Sequence, residues 1–66
     1  MSNKLEPVAV SVAETARLLG VSRPTVYSLL SRSDFPAFKL GNRTLVSVEG
    51  LRDWVRHQSE VFNRAE

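Results

Sequence analysis

Residues 11–32, SVAETARLLGVSRPTVYSLLSR, decide how this chain folds. Ser11 followed three residues later by Glu14 is the capping-box pattern, in which two side chains satisfy orphan backbone N–H groups at a helix start. Val12, Ala13, Ala16, Leu18 and Leu19 then supply a broad apolar face, and Gly20 can take the left-handed conformation that ends a helix. The pattern predicts a first helix from Ser11 to about Leu19. A second start follows at once. Ser22 is placed as N-cap, Pro24 falls in the first turn where its missing N–H costs little, and Val21 and Val26 are spaced as a hydrophobic staple. From there Val26, Leu29 and Leu30 face inward at i, i+3 and i+4. That leaves Arg23, Thr25, Ser28 and Arg32 toward solvent, with Tyr27 at the edge between the two faces. Two short amphipathic helices joined at a glycine describe a helix-turn-helix.

Downstream, SRSDFP breaks the helical pattern, and Pro36 holds Phe35 toward extended geometry. Phe38, Leu40, Leu45 and Val46 suit strands, and Gly41-Asn42 between them can accept the positive φ of a tight hairpin. Strands are expected at about 38–40 and 44–47, with Lys39, Asn42, Arg43 and Thr44 gathered at the tip. Ser47 is placed to cap a third helix, whose Val48, Leu51, Trp54, Val55 and either Val61 or Phe62 give an inward stripe. Trp54 lies on that stripe and reads as a core anchor rather than a base-stacking platform. Arg52, Arg56 and Arg64 alternate with Glu49, Asp53 and Glu60, which suits pairing along the helix. Upstream, residues 1–9 read as a flexible leader, since Pro7 discourages helix before it, and the folded domain spans 10–64. The expected fold is mainly α with a small β-hairpin, in the order helix-helix-hairpin-helix. That order is a winged helix-turn-helix.

Composition narrows the function. Sixty-six residues leave room for one domain with one small core, and little surface for a catalytic pocket together with walls to exclude water. An enzyme is disfavoured. With no cysteine, neither disulfides nor thiolate zinc ligands can supplement the core. His57 stands alone, with neither a second zinc ligand type nor a paired nucleophile, and reads as a surface or edge residue. No cofactor or metal is expected. No stretch approaches the roughly 20 apolar residues of a membrane span, and the start MSNKLEPVAV has no apolar run behind a positive flank. The expectation is a soluble, cytoplasmic chain.

The net charge of +2 hides an uneven distribution. Between residues 17 and 43, Arg17, Arg23, Arg32, Lys39 and Arg43 face Asp34 alone, a net of +4, and the flanks carry −2. A basic middle within a near-neutral chain suits a polyanion bound on one face, and double-stranded DNA is the partner it indicates. A helix enters the major groove with its N-terminal part toward the bases, and short polar side chains allow close approach. Ser22, Arg23, Thr25, Tyr27, Ser28 and Arg32 are therefore the candidate contacts of the second helix. Ser22 also reads as nothing more than a cap. Lys39, Asn42, Arg43 and Thr44 are the candidates of the hairpin, placed to reach a phosphate or the minor groove.

The runs VAETARLLGVSRPTVYSLL and FPAFKLGNRTLVSVEGLRDWV also carry a family resemblance. They resemble the excisionase-like and AlpA-like winged helix-turn-helix proteins, a group similar in fold to the DNA-binding domain of MerR regulators. The likeness covers Val10 to Val61. It rests on the order of its parts: Glu14 in the first turn, Gly20-Val21-Ser22, Pro36, Gly41-Asn42-Arg43, then Leu51 with Trp54. The resemblance implies that Ser22, Arg23, Thr25, Tyr27 and Ser28 match a groove-reading helix and that Arg43 matches a wing residue near the minor groove. It further implies a sequence-specific DNA-binding protein, either an accessory factor in excising mobile elements or a small transcriptional regulator of one. A site-specific recombinase, or another copy of the chain on DNA, would be its protein partner. The alternative is a protein-interaction module that binds those partners without reading DNA. MerR regulators continue into a dimerisation helix and an effector domain, and with the sequence stopping at Glu66 the expectation is that no small molecule is sensed.

Overall fold

The computed structural model describes residues 7–65, with side chains from 7 to 63. Its elements follow in the order β1 (Ala9–Ser11), α1 (Val12–Leu19), α2 (Arg23–Leu29), β2 (Ala37–Leu40), β3 (Arg43–Ser47) and α3 (Val48–Ala65). Three helices and a small antiparallel sheet make this a winged helix-turn-helix, as the sequence predicts.

Each helix of the first pair begins as its cap residue requires. Ser11 and Ser22 are extended, with φ −73°, ψ 168° and φ −76°, ψ 159°, and their hydroxyls accept from Glu14 N at 3.1 Å and Thr25 N at 3.3 Å. Between the helices Gly20 turns left-handed at φ 74°. Its N–H donates to Arg17 O at 3.2 Å and the next N–H, of Val21, donates to Ala16 O at 3.0 Å, the two bonds of a Schellman stop. The turn between α1 and α2 is therefore fixed by hydrogen bonds at both of its ends.

The buried face of α1 differs from the expected one. Val12 and Ala16 are buried, but Ala13 and Leu18 are exposed, and Thr15 takes the inward position with no exposure at all. Thr15 is tolerated there because its hydroxyl donates to Ser11 O at 2.8 Å, so no polar group is left unpaired. Val26 of α2, fully buried, packs with Val12 and Ala16, and Leu30 covers them. Val21 stays 39% exposed and is no part of that cluster, so its place is set by the Schellman turn rather than by the expected staple.

The sheet holds one more strand than the sequence reading expects. Its order is β1-β3-β2, with Val10 opposite Val46 and Ser11 opposite Leu45 on one side, and Ala37 opposite Val46 and Leu40 opposite Arg43 on the other. Ala9, assigned to a flexible leader, is the first residue of β1, and Val8 O accepts from Val48 N at 3.0 Å. Residues 1–6 of that leader lie outside the described residues. Val10, Phe35, Val46 and Leu51 form the second buried cluster, against which Leu29, Leu30, Ala37 and Trp54 pack. The hairpin turn is tighter in its demands than expected. Only Gly41, at φ 64°, has a positive φ, and Asn42 does not. A positive angle at the first central residue alone is the pattern of a II′ turn.

Helix α3 starts under Ser47, whose hydroxyl accepts from Gly50 N at 3.0 Å. A Cβ on Gly50 would lie 2.7 Å from Pro36 Cβ, so this glycine lets the helix start sit against the loop that enters β2. The inward stripe of α3 ends early. Leu51 is buried and Val48 and Trp54 are half-buried, whereas Val55, Val61 and Phe62 are 40%, 48% and 68% exposed, so neither Val61 nor Phe62 joins the core. Among the described residues no helix is long and apolar enough to cross a membrane.

Candidate nucleic-acid interface

Helix α2 offers one face to solvent from end to end. Arg23, Pro24, Thr25, Tyr27 and Ser28 are exposed, and only Val26 is buried. At roughly 100° per residue, Pro24, Ser28 and Ser31 point most directly away from Val26, with Tyr27 and Thr25 about equally far round on either side. Arg23 and Thr25 lie on the two flanks, Thr25 beside Leu29. The expected contact set is thus spread around more than half of the helix, and Pro24 and Ser31, which the sequence reading passes over, sit nearer its centre. Ser31 had a signal in the spacing, since it follows Ser28 by three residues, and its hydroxyl donates to Ser28 O at 2.9 Å.

Two of the candidate side chains already have partners. Ser22 Oγ, besides its cap bond, lies 2.9 Å from Thr25 Oγ1, so the two hydroxyls are hydrogen-bonded to each other. Ser22 acts as a cap, and Thr25 is oriented by it. Arg32 makes a two-pronged contact with Asp34, Nε to Oδ1 and Nη2 to Oδ2, both 2.9 Å. Its guanidinium also sits 5.7 Å from the Trp54 ring centre. Trp54 closes the group by donating Nε1–H to Asp34 Oδ2 at 3.2 Å and by meeting the Phe35 ring edge-on at 5.0 Å. Trp54 is therefore a half-buried anchor, as its position on the stripe predicts. The Arg32 hydrogen bond, followed by that of Trp54 and by the Arg32 charge, holds the Asp34 carboxyl below its ordinary pKa despite some opposing desolvation. Arg32 is a clamp between the end of α2 and α3 before it is anything else.

The hairpin register divides the expected tip cluster. Residues opposite one another share a face of the sheet, so Lys39 with Thr44 lies on the side that carries buried Val46, and Arg43 lies on the other side with Leu40. Leu40 is 65% exposed and Phe38 42%, so the outer face of the wing is apolar with one arginine at its tip. Strand-compatible residues were expected at both positions, but alternation alone does not say which face is covered.

Charge separates in the same way. Arg17 pairs with Glu14 through two hydrogen bonds, which lower the Glu14 pKa and raise that of Arg17, and Arg56 pairs with Asp53 at 2.9 Å. Among the described residues no ion pair involves Arg23, Lys39 or Arg43. The only acid between residues 15 and 48 is Asp34, which Arg32 neutralises. The expected pairing of Arg64 lies outside the described side chains. His57 is exposed, and no group of three or more metal-ligating side chains occurs among the described residues.

A family model described as a helix-turn-helix domain matches residues 9–59, more than three quarters of the chain. Its start at Ala9 coincides with the start of β1. No curated protein and no solved structure gives a significant match.

Proposed function

We propose that this chain, which belongs to the helix-turn-helix domain family, binds double-stranded DNA with α2 in the major groove and the β2–β3 hairpin on the adjacent backbone or minor groove. The observation that carries the reading is the cationic set of Arg23 on α2 and Lys39 and Arg43 on the hairpin, none of them in an ion pair among the described residues, with α2 and β2 fixed to a common core through Leu29 and Ala37. Such a set complements phosphate, while Tyr27, Ser28 and Thr25 supply the short polar and aromatic groups that touch base edges. Arg23 serves at the flank of the reading helix, Ser22 through its cap, Arg32 by holding the end of α2, and Lys39, Asn42, Arg43 and Thr44 along the wing.

Within that function we favour an excisionase-type recombination accessory factor or a small transcriptional regulator of a mobile element, acting in the cytoplasm without cofactor or catalysis. The resemblance to excisionase-like and AlpA-like proteins supports this narrower role. A small winged helix has a limited footprint, which favours several copies on neighbouring sites. A second reading, contact with a recombinase or with another copy, is favoured by the exposed Val55, Val61 and Phe62 of α3, and it is compatible with the first.

Titration of the chain against random duplex DNA at 50 and 200 mM salt tests the reading. Three phosphate contacts predict about a 40-fold loss of affinity over that range. Affinity that is absent at both salts, or unchanged between them, would contradict it.

A further inference from the structure

We propose that Asp34 is an internal stand-in for a DNA phosphate: it holds the Arg32 guanidinium in the free chain and yields it to the duplex backbone when α2 enters the groove. The inference rests on the DNA-binding reading above and adds to it an exchange of partners at one arginine.

Arg32 lies in the connection between the two elements assigned to DNA, α2 and the hairpin. Its backbone N–H donates to Leu29 O at 3.0 Å, so the winding of α2 continues as far as this residue. Following Thr25 by seven residues and Leu29 by three, Arg32 extends their row along the flank of the exposed face. A helix whose N-terminal part meets the bases brings its C-terminal end to the backbone. Arg32 is the cation at that end of α2.

The contact that occupies it has the form of a phosphate contact. Nε donates to Asp34 Oδ1 and Nη2 to Oδ2, both at 2.9 Å, the same fork that an arginine presents to two phosphate oxygens. Both side chains stay open to water, Arg32 49% and Asp34 44% exposed, so the pair is accessible and its strength is screened. A duplex offers a dense row of competing anionic oxygens. Trp54 makes the exchange tolerable for the acid. Its Nε1–H donates to Asp34 Oδ2 at 3.2 Å, and the carboxylate therefore keeps a donor when the guanidinium leaves. The placement of the acid is also selective. Asp34 is the only acid between residues 15 and 48 and it captures Arg32, whereas Arg23, Lys39 and Arg43 are in no ion pair among the described residues. Joining this turn to α3 does not by itself call for a charged pair half in water, since the Phe35 and Trp54 rings already meet edge-on at 5.0 Å.

The test measures affinity for one duplex, selected by wild type from a random pool, at 50 and 200 mM salt. Asp34→Asn keeps an oxygen for Trp54 and removes the charge that competes with phosphate. It should bind about fivefold tighter at 50 mM and lose about 150-fold rather than about 40-fold on going to 200 mM, the change expected for one more neutralised phosphate. In an Arg32→Gln background the same substitution should change affinity by no more than about twofold. Trp54 is the only tryptophan, and the guanidinium sits 5.7 Å from its ring centre, so its emission reports the departure of Arg32. Saturating duplex should shift that emission in wild type and leave it unchanged in Arg32→Gln, with circular dichroism checking that each variant keeps its fold. Affinity unchanged or lowered in Asp34→Asn, a gain that survives in the Arg32→Gln background, or emission unmoved when wild type is saturated would each overturn the exchange and leave the DNA-binding reading standing. Failure of wild type to bind any duplex would overturn both.

Discussion

The α1–α2 unit and the β2–β3 hairpin both carry side chains outward, yet they are held in different ways. The helical pair is fixed by two serine caps, a Schellman turn at Gly20 and the fully buried Val26. The hairpin has no buried residue in β2 and one in β3, Val46, and beyond Lys39 only strand register and one left-handed glycine set its shape. A rigid helix keeps base-contacting groups at fixed angles, whereas a hairpin anchored only at its root can follow a backbone or a bent groove. The division suits a reader and a follower on the same duplex.

The largest expected effect breaks the rigid half. Val26→Ala removes two methyls from a site with no exposure and should cost about 2–3 kcal/mol in a denaturant titration, a large share of the stability of so small a domain. Gly41→Ala meets no neighbouring atom but must hold φ 64°, which costs about 1–2 kcal/mol locally. Its effect should fall on the wing: DNA affinity drops while the hydrogen-exchange protection of α1 and α2 persists. Ser22→Ala deletes the α2 cap and should cost about 1 kcal/mol by thermal melting, and it also frees the Thr25 hydroxyl.

The smallest effect concerns Asp34. Its folded pKa is lowered by Arg32, so its contribution to stability is present above the ordinary carboxylate value of 3.8 and disappears as the pH falls through the lower folded value. The melting temperatures of wild type and Asp34→Asn should therefore differ near neutral pH and converge in acid. A difference that persisted at low pH would assign the effect to Trp54 packing instead.

The legible parts of this fold are those whose signals lie within a few residues of each other. Ser11 with Glu14, Gly20 before Ser22-Arg23-Pro24, and Ser47 three residues before Gly50 each announce a boundary through a bond that spans one helical turn. What escapes such reading depends on distant partners. Strand β1 is three residues long, too short for alternation to show, and exists because Val10 meets Val46. Thr15 replaces Leu18 in the core because its hydroxyl finds Ser11 O, and Gly50 is demanded by Pro36 across the fold. At the site, the cationic set was readable from composition. The capture of Arg32 by Asp34 and Trp54, and the separation of Arg43 from Lys39 by register, required the third dimension.

On the proposed function, α2 reads sequence while the hairpin supplies affinity. Selection from a random duplex pool by wild type, Thr25→Ala and Arg43→Ala, followed by sequencing, is the test. The prediction is an enriched motif for wild type, the same motif at weaker affinity and reduced salt slope for Arg43→Ala, and lost preference at particular base pairs for Thr25→Ala. An unchanged motif with equal loss of affinity in both variants would contradict the assignment of reading to α2.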